Sequence, residues 1–496
     1  MRKYVFLLLA LLLTTPLYAQ SVGMFVSDDC SAYKPNTSVP AEPAKWGSYV
    51  DPVFGTTIRK VTDWVADGLA ARPTSQYSTY TNVNADGTVY YVSVGNSRNG
   101  YFYDSSDGTL LRSLTVGNPG TQSDMEWRWD ATDPDVGFYH QLNVWYEYNY
   151  VTDTSTEMRD FGDDFAEWGW DAPRLVEFFD KGEPSWDSRY FPMRARRDCC
   201  DFWPQSTSEN RAKYFIIYDR VLDKVARLDL DAMLEYLGWA PGSVAMPRFV
   251  GSMPTSRWAY IRMASDISRG FVIENPLYGG AGTDGMLIPF ANCRMAPADG
   301  SWAAGHMTTA IDMDGDDVYV VRINGYEGVK MKDGTRTQYL PSENPNNWPD
   351  YLGCGSFTGV SVRNYHMSHI QGVPGWAIFS YYGEVSTWVA DSDPGYPLNG
   401  EIWAVELTDH NPRILRLAHT RSNNWGEGWY NCQSRTQVSP DGKHIYFDSN
   451  WFEPSSGDDN ANELYRIELP DGFWEEIDTR RKSVRGADLS AGGAIQ

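Results

Sequence analysis

The sequence predicts an all-β chain folded as a single seven-bladed β-propeller. Three observations point to it: one strand-turn-strand cassette recurs seven times, the composition suits short strands and tight turns, and no helical heptads or low-complexity tracts compete. The last unit is the template. In TQVSPDGKHIYFDSNW, Asp441 and Gly442 supply a hairpin turn, Ile445 and Phe447 alternate with polar neighbours, and Tyr465, Ile467 and Leu469 resume the same period of two. The same punctuation occurs around Asp86, Asp133, Asp187, Thr255, Asp314 and Pro374, so seven turns follow one another at roughly 45 to 70 residues. Third strands follow in GYFYDSSDG, AKYFIIYDR, GVKMKDG and GEIWAVEL. A β-sandwich or two separate all-β domains would also show strands and turns, but neither predicts one cassette repeated to the end of the chain.

The spacers 155–182, 228–246 and 274–300 are long enough for insertions on one face, and LDLDAMLEYLGW within the second reads as a short helix. Aromatic residues make up 14% of the chain, with 20 Trp and 31 Tyr, and 44 Gly serve the turns.

Residues 1–19 have the parts of a secretory leader: Arg2 and Lys3, an apolar run from Val5 to Leu13, and small Ala19 before a cut. A single propeller domain is therefore expected over 20–496, secreted or periplasmic. The apolar run is too short to span a bilayer, and no later stretch reaches the roughly 20 apolar residues needed. A net charge of −23 argues against nucleic acid, whose binding needs Lys and Arg on phosphates. A monomer is expected. The six cysteines are too scattered for a disulfide scaffold, and adjacent Cys199 and Cys200 would each seek another partner if oxidised.

In a blade the first strand starts, and the second ends, on one face near the axis. That rule selects Tyr77, Tyr80, Glu126, Arg128, Glu183, Arg248, His306, His366, His369, Gln433 and Arg435 before first strands. After second strands it selects Asn96, Arg98, His140, Arg194, Arg196, Arg197, Arg262, Arg322, Tyr381, Tyr382, Asn450 and Trp451. Arginines gathered on a very acidic protein suit an anion, because a guanidinium grips carboxylate or sulfate with two N–H groups, and Tyr and Trp offer flat faces to sugar rings. An acidic polysaccharide fits both, with Arg196, Arg197, Tyr381, Trp451 and Arg435 as its binding groups. Pairing of each Arg with nearby Asp or Glu is the plainer alternative.

His140, in DVGFYHQLN, is the candidate general base, or else a hydrogen-bonded structural residue. His306, His366 and Cys432 hold matching positions in three consecutive blades and could share a divalent metal, zinc or calcium, with Cys354 or His369 as replacements. Packing alone would also account for each.

These cassettes resemble those of TolB-type and other WD40-like bacterial propellers over most of the mature chain. The segments AAGHMTTAIDMDG, NYHMSHIQGVPGW and NCQSRTQVSPDG resemble the corresponding blades of oligogalacturonate lyases, seven-bladed propellers that bind a divalent metal through histidines. This chain departs from them at Cys432, Gln433 and Arg435, where that family has His and Gln ligands. In size, leader and blade layout the chain is most similar to the exported ulvan lyases of marine bacteria. There a His at the end of a second strand, with Tyr and Arg of neighbouring blades, performs elimination on a sulfated uronate polymer. The resemblance places His140 on that His and Arg262, Arg322 or Arg196 on the carboxylate neutraliser, with Tyr80 to protonate the leaving oxygen. One such family uses two histidines in one blade, and here the first-strand position holds Glu126. The expected function is thus a polysaccharide lyase. The alternatives are a glycoside hydrolase using Glu126 and Glu183, or a propeller that binds glycan or protein without catalysis.

Overall fold

The computed structural model describes residues 40–69, 73–94, 99–115, 127–170, 175–178, 182–196, 212–238, 247–263, 270–295, 307–322, 326–340, 365–381, 400–408, 412–422, 433–451 and 462–478. They form seven sheets arranged in a ring, a seven-bladed β-propeller. Blade 1 runs from Pro73–Thr74 to Leu110–Thr115, blade 2 from Arg128–Trp129 to Thr154–Asp160, and blade 3 from Leu175–Glu177 to Lys224–Asp229. Blade 4 runs from Pro247–Ser252 to Cys293–Met295, blade 5 from Met307–Ile311 to Arg336–Leu340, and blade 6 from Tyr365–His369 to Ile414–His419. Each has four antiparallel strands in chain order, inner to outer, and blade 3 adds a parallel outer strand, Met286–Leu287.

All seven predicted turns join the first strand of a blade to its second. Gly442, at φ +73°, shows why the template turn carries glycine: an L side chain there would be strained. The spacers are less loop-like than expected. The first contains blade 2's outer strand and a helix, Phe161–Glu167, and the predicted short helix forms over Leu230–Tyr236. No helix among the described residues is long and apolar enough to cross a membrane.

Ring closure comes from the chain's beginning. Blade 7 takes Gln437–Val438, His444–Ser449 and Glu463–Glu468 from the end and adds Thr57–Lys60 and Ser48–Val50 outside them. Arg59 grips Glu468 with Nε and Nη2 (2.6 and 3.1 Å), and Thr62 Oγ1 donates to Glu463 (2.7 Å). Pairing the two chain ends in one sheet removes the free edge that an open ring would expose.

Side chains alternate along each strand, so both faces of a sheet pack against neighbouring blades. Between blades 1 and 2 lie Tyr91, Phe102, Trp127 and Tyr148, with Trp127 stacked on Tyr91 at 5.4 Å. Gly137 is required there: a Cβ would stand 2.0 Å from the Trp127 ring.

Candidate functional site

At the strand-end face, blades 2 and 3 bring four predicted and unpredicted groups together. His140 sits near the end of blade 2's second strand, Val136–Gln141, buried and stacked on Trp145 at 5.3 Å. Arg194 and Arg196 end blade 3's second strand, Tyr190–Arg196. Both reach the carboxylate of Glu177 on the inner strand beside them: Arg194 Nε and Nη2 lie 3.0 and 2.5 Å from Oε1, and Arg196 Nε lies 2.8 Å from it. The register explains the meeting, since Glu177 pairs with Arg194 and Leu175 with Arg196. Burial works to raise the Glu177 carboxyl, but Arg194, Arg196 and His140 together hold it well below the usual range. Two guanidiniums thus converge on one carboxylate close to a buried imidazole.

A second group lies further down the axis. The inner strand of blade 1 is interrupted between Thr74 and the Val83 bridge, and that of blade 3 is Leu175–Glu177. Tyr77, Tyr80 and Glu183 therefore follow the first strands Pro73–Thr74 and Leu175–Glu177 instead of preceding them, which corrects the sequence rule. Arg128 rests its guanidinium on the Tyr80 ring, 3.5 Å from the centroid, and directs Nε and Nη2 to Gly182 O (3.0 and 2.7 Å). Glu183 faces His369 of blade 6 across the axis, Oε2 to Nδ1 at 3.6 Å. Burial pushes the Glu183 carboxyl up to about 8 against the pull of Arg128, and burial takes His369 down to about 4. Trp186 stacks on His369 at 5.1 Å, and Gln371 Nε2 donates to Trp186 O at 2.9 Å, so blades 3 and 6 touch across the turn-side end of the channel.

Other expected residues are placed elsewhere. Arg262 is buried in blade 4, where it draws the Tyr319 phenol down while burial pushes it up. Tyr381 is buried against Tyr365 at 5.3 Å. Trp451 stacks on Tyr465 at 4.9 Å and donates Nε1 to Pro40 O at 3.0 Å, which makes it part of the ring closure. Arg435 approaches Ser75 O (3.4 Å) and acts on Asp448, whose carboxyl burial raises to about 6. Arg197, Glu126, His306, Cys432 and Cys354 lie outside the described residues, as does the side chain of Arg322.

Of the three expected metal donors only His366 is described, and its Nε2 stands 2.8 Å from Gln433 Oε1, with Tyr77 edge-on at 5.1 Å. Among the described residues one acidic triad could hold an ion: Asp312, Asp314 and Asp316 in the blade 5 turn. Lys330 Nζ already stands among them at 3.0, 2.8 and 3.0 Å, so the chain supplies its own cation.

Sequence reasoning missed Glu177. Its signal was present: a lone acid inside the apolar run LVEFF is a buried carboxylate that needs cationic partners.

No protein-family model and no curated protein matches the chain. Among solved structures it is similar to oligogalacturonate lyase from Vibrio parahaemolyticus, at 10% identity over 87% of this chain and 98% of that one, with a TM-score of 0.50. Streptogramin B lyase follows at 10% identity, covering 83% and 97%, with 0.43. Hydrazine synthase of Kuenenia stuttgartiensis follows at 11%, covering 81% and 98%, with 0.44. The likeness is one of fold.

Proposed function

We propose that this protein is an exported polysaccharide lyase that cleaves a uronic-acid-containing, ulvan-like polymer by β-elimination. The observation that carries the reading is the His140, Glu177, Arg194, Arg196 cluster: two guanidiniums converging on one carboxylate close to an imidazole, on a chain whose net charge is −23. The fold shared with oligogalacturonate lyase agrees with it but does not select it. Arg196, with Arg194, receives the C6 carboxylate of the uronate and stabilises the enolate-like charge that develops there. His140 takes the C5 proton. The C4–O4 bond then breaks as the C4=C5 double bond forms, and O4 leaves with a proton from water.

Incubation with acidic algal and plant polysaccharides, following ultraviolet absorbance and reducing ends together, tests this reading. Both signals rise for a lyase. Reducing ends without absorbance would replace elimination by hydrolysis, and neither signal would leave a binding propeller. His140→Ala is expected to lower turnover by about 10²- to 10⁴-fold, the usual worth of a positioned base. Undiminished turnover removes His140 from the mechanism.

A further inference from the structure

The groups facing the turn-side recess of the channel have no role in the lyase reading. The recess is lined by Arg128, Glu183, Trp186, His369 and Gln371, and no member of the His140 cluster lines it. His369 is 8% exposed, yet its Nδ1 has no hydrogen-bond partner, and neither has the buried indole Nε1 of Trp186. Buried polar atoms are nearly always satisfied, so two orphans around one recess point to a missing occupant. Arg128 does not fill the role, since Nε and Nη2 are turned to Gly182 O and Nη1 to Trp127 O (2.8 Å).

We propose that this recess binds one divalent transition-metal ion, zinc by chemical preference, between His369 Nδ1 and Glu183 Oε2. The 3.6 Å between these atoms is what two ligands of one ion show when each lies about 2.1 Å from it. An imidazole with a carboxylate selects zinc or its first-row neighbours over calcium, which takes oxygen ligands. Gln371 lines the same recess, and water completes the coordination. The ion joins blade 3 to blade 6 across the axis, a cross-link that the present contact of Trp186 with Gln371 and His369 foreshadows. This site differs from the one expected at His306, His366 and Cys432, and it stands whether or not the protein is a lyase.

Zinc is titrated calorimetrically into the full chain after chelator treatment, with thermal melts alongside. Wild type is expected to take up one equivalent through this pair and to melt a few °C higher with zinc. Glu183→Gln and His369→Ala each lose that equivalent, while His366→Ala keeps it. Glu183→Gln preserves shape, so it remains readable if His369→Ala does not fold. Cobalt in place of zinc adds a visible spectrum that the same two variants abolish. No uptake by wild type, uptake unchanged in Glu183→Gln, or loss only in His366→Ala each overturns the proposal.

Discussion

Replacing Glu177 by Gln removes one charge and almost no volume from the strand-end cluster. Its carboxylate is contacted by Arg194 Nε at 3.0 Å, Arg194 Nη2 at 2.5 Å and Arg196 Nε at 2.8 Å, and both arginine side chains are less than one-tenth exposed. Breaking a buried ion pair on one side costs about 3–5 kcal/mol, because the remaining charge is left in a poor medium. Glutamine keeps an acceptor oxygen, which argues for the lower end, about 3 kcal/mol. With an unfolding entropy of about 2.1 cal/mol/K per residue, a propeller of this size loses roughly 3 °C at the midpoint. The pH dependence identifies the cause. Glu177 is held at about 2, below its ordinary 4.5, so its contribution is fully present above pH 4.5 and is lost as pH falls toward 2. Melts of wild type and Glu177→Gln should therefore differ at pH 7 and converge below pH 4.5. Equal midpoints at pH 7, or a gap that widens on acidification, refute the reasoning.

The opposite sign is expected at Glu183. Its folded-state value of about 8 lies above 4.5, so the folded chain holds a proton that the unfolded chain releases, and stability falls as pH rises between those values. In chelated protein Glu183→Gln should melt higher than wild type at pH 8 and equally at pH 4.5; a lower melt at pH 8 counts against the assignment. Asp51 accepts from Val53 N (2.9 Å), His419 N (3.1 Å) and His419 Nδ1 (2.8 Å), tying the first strands to blade 6's outer strand. Asp51→Asn should cost about 3–5 kcal/mol in urea titrations and loosen ring closure first, seen as earlier proteolysis near the N-terminal strands. Gly137→Ala forces a methyl onto the Trp127 ring and should cost about 1–3 kcal/mol; a neutral effect would mean that the ring moves freely.

The blade count was legible because each inner turn carries its own chemistry, from Asp86 and Gly87 to Asp441 and Gly442. The outer strand of blade 2 was not, because its sequence, TSTEMRD at 154–160, is mostly exposed and polar and reads as spacer. Ring closure by Ser48–Val50 and Thr57–Lys60 left no trace in the repeat, since those strands borrow their turn from nothing and pair with the far end of the chain. At the site, position along the strand was readable and partner choice was not. His140, Arg194 and Arg196 could be assigned to one face, but that Glu177 sits among them depends on the register between two strands separated by an interrupted segment.

Glu177 and Glu183 lie six residues apart in the sequence, both are largely buried, and they are pushed to opposite protonation states near neutral pH. Burial raises both carboxyls, so burial does not separate them. The difference is where the nearest arginines spend their N–H groups. Arg194 donates Nε and Nη2 to Glu177 and Arg196 Nε stands 2.8 Å from it, whereas Arg128 gives Nε and Nη2 to the carbonyl of Gly182 and leaves Glu183 with only a distant pull. Two carboxyls pushed apart in this way divide the labour along one axis. On the proposed function, Glu177, held ionised, fixes two guanidiniums for the uronate carboxylate. Glu183, protonated until a cation displaces the proton, is suited to the turn-side recess. The same logic separates the two: Arg128→Leu, which removes the described cation acting on Glu183, should raise the Glu183 carboxyl further while leaving the Glu177 cluster and its acid-dependent stability unchanged.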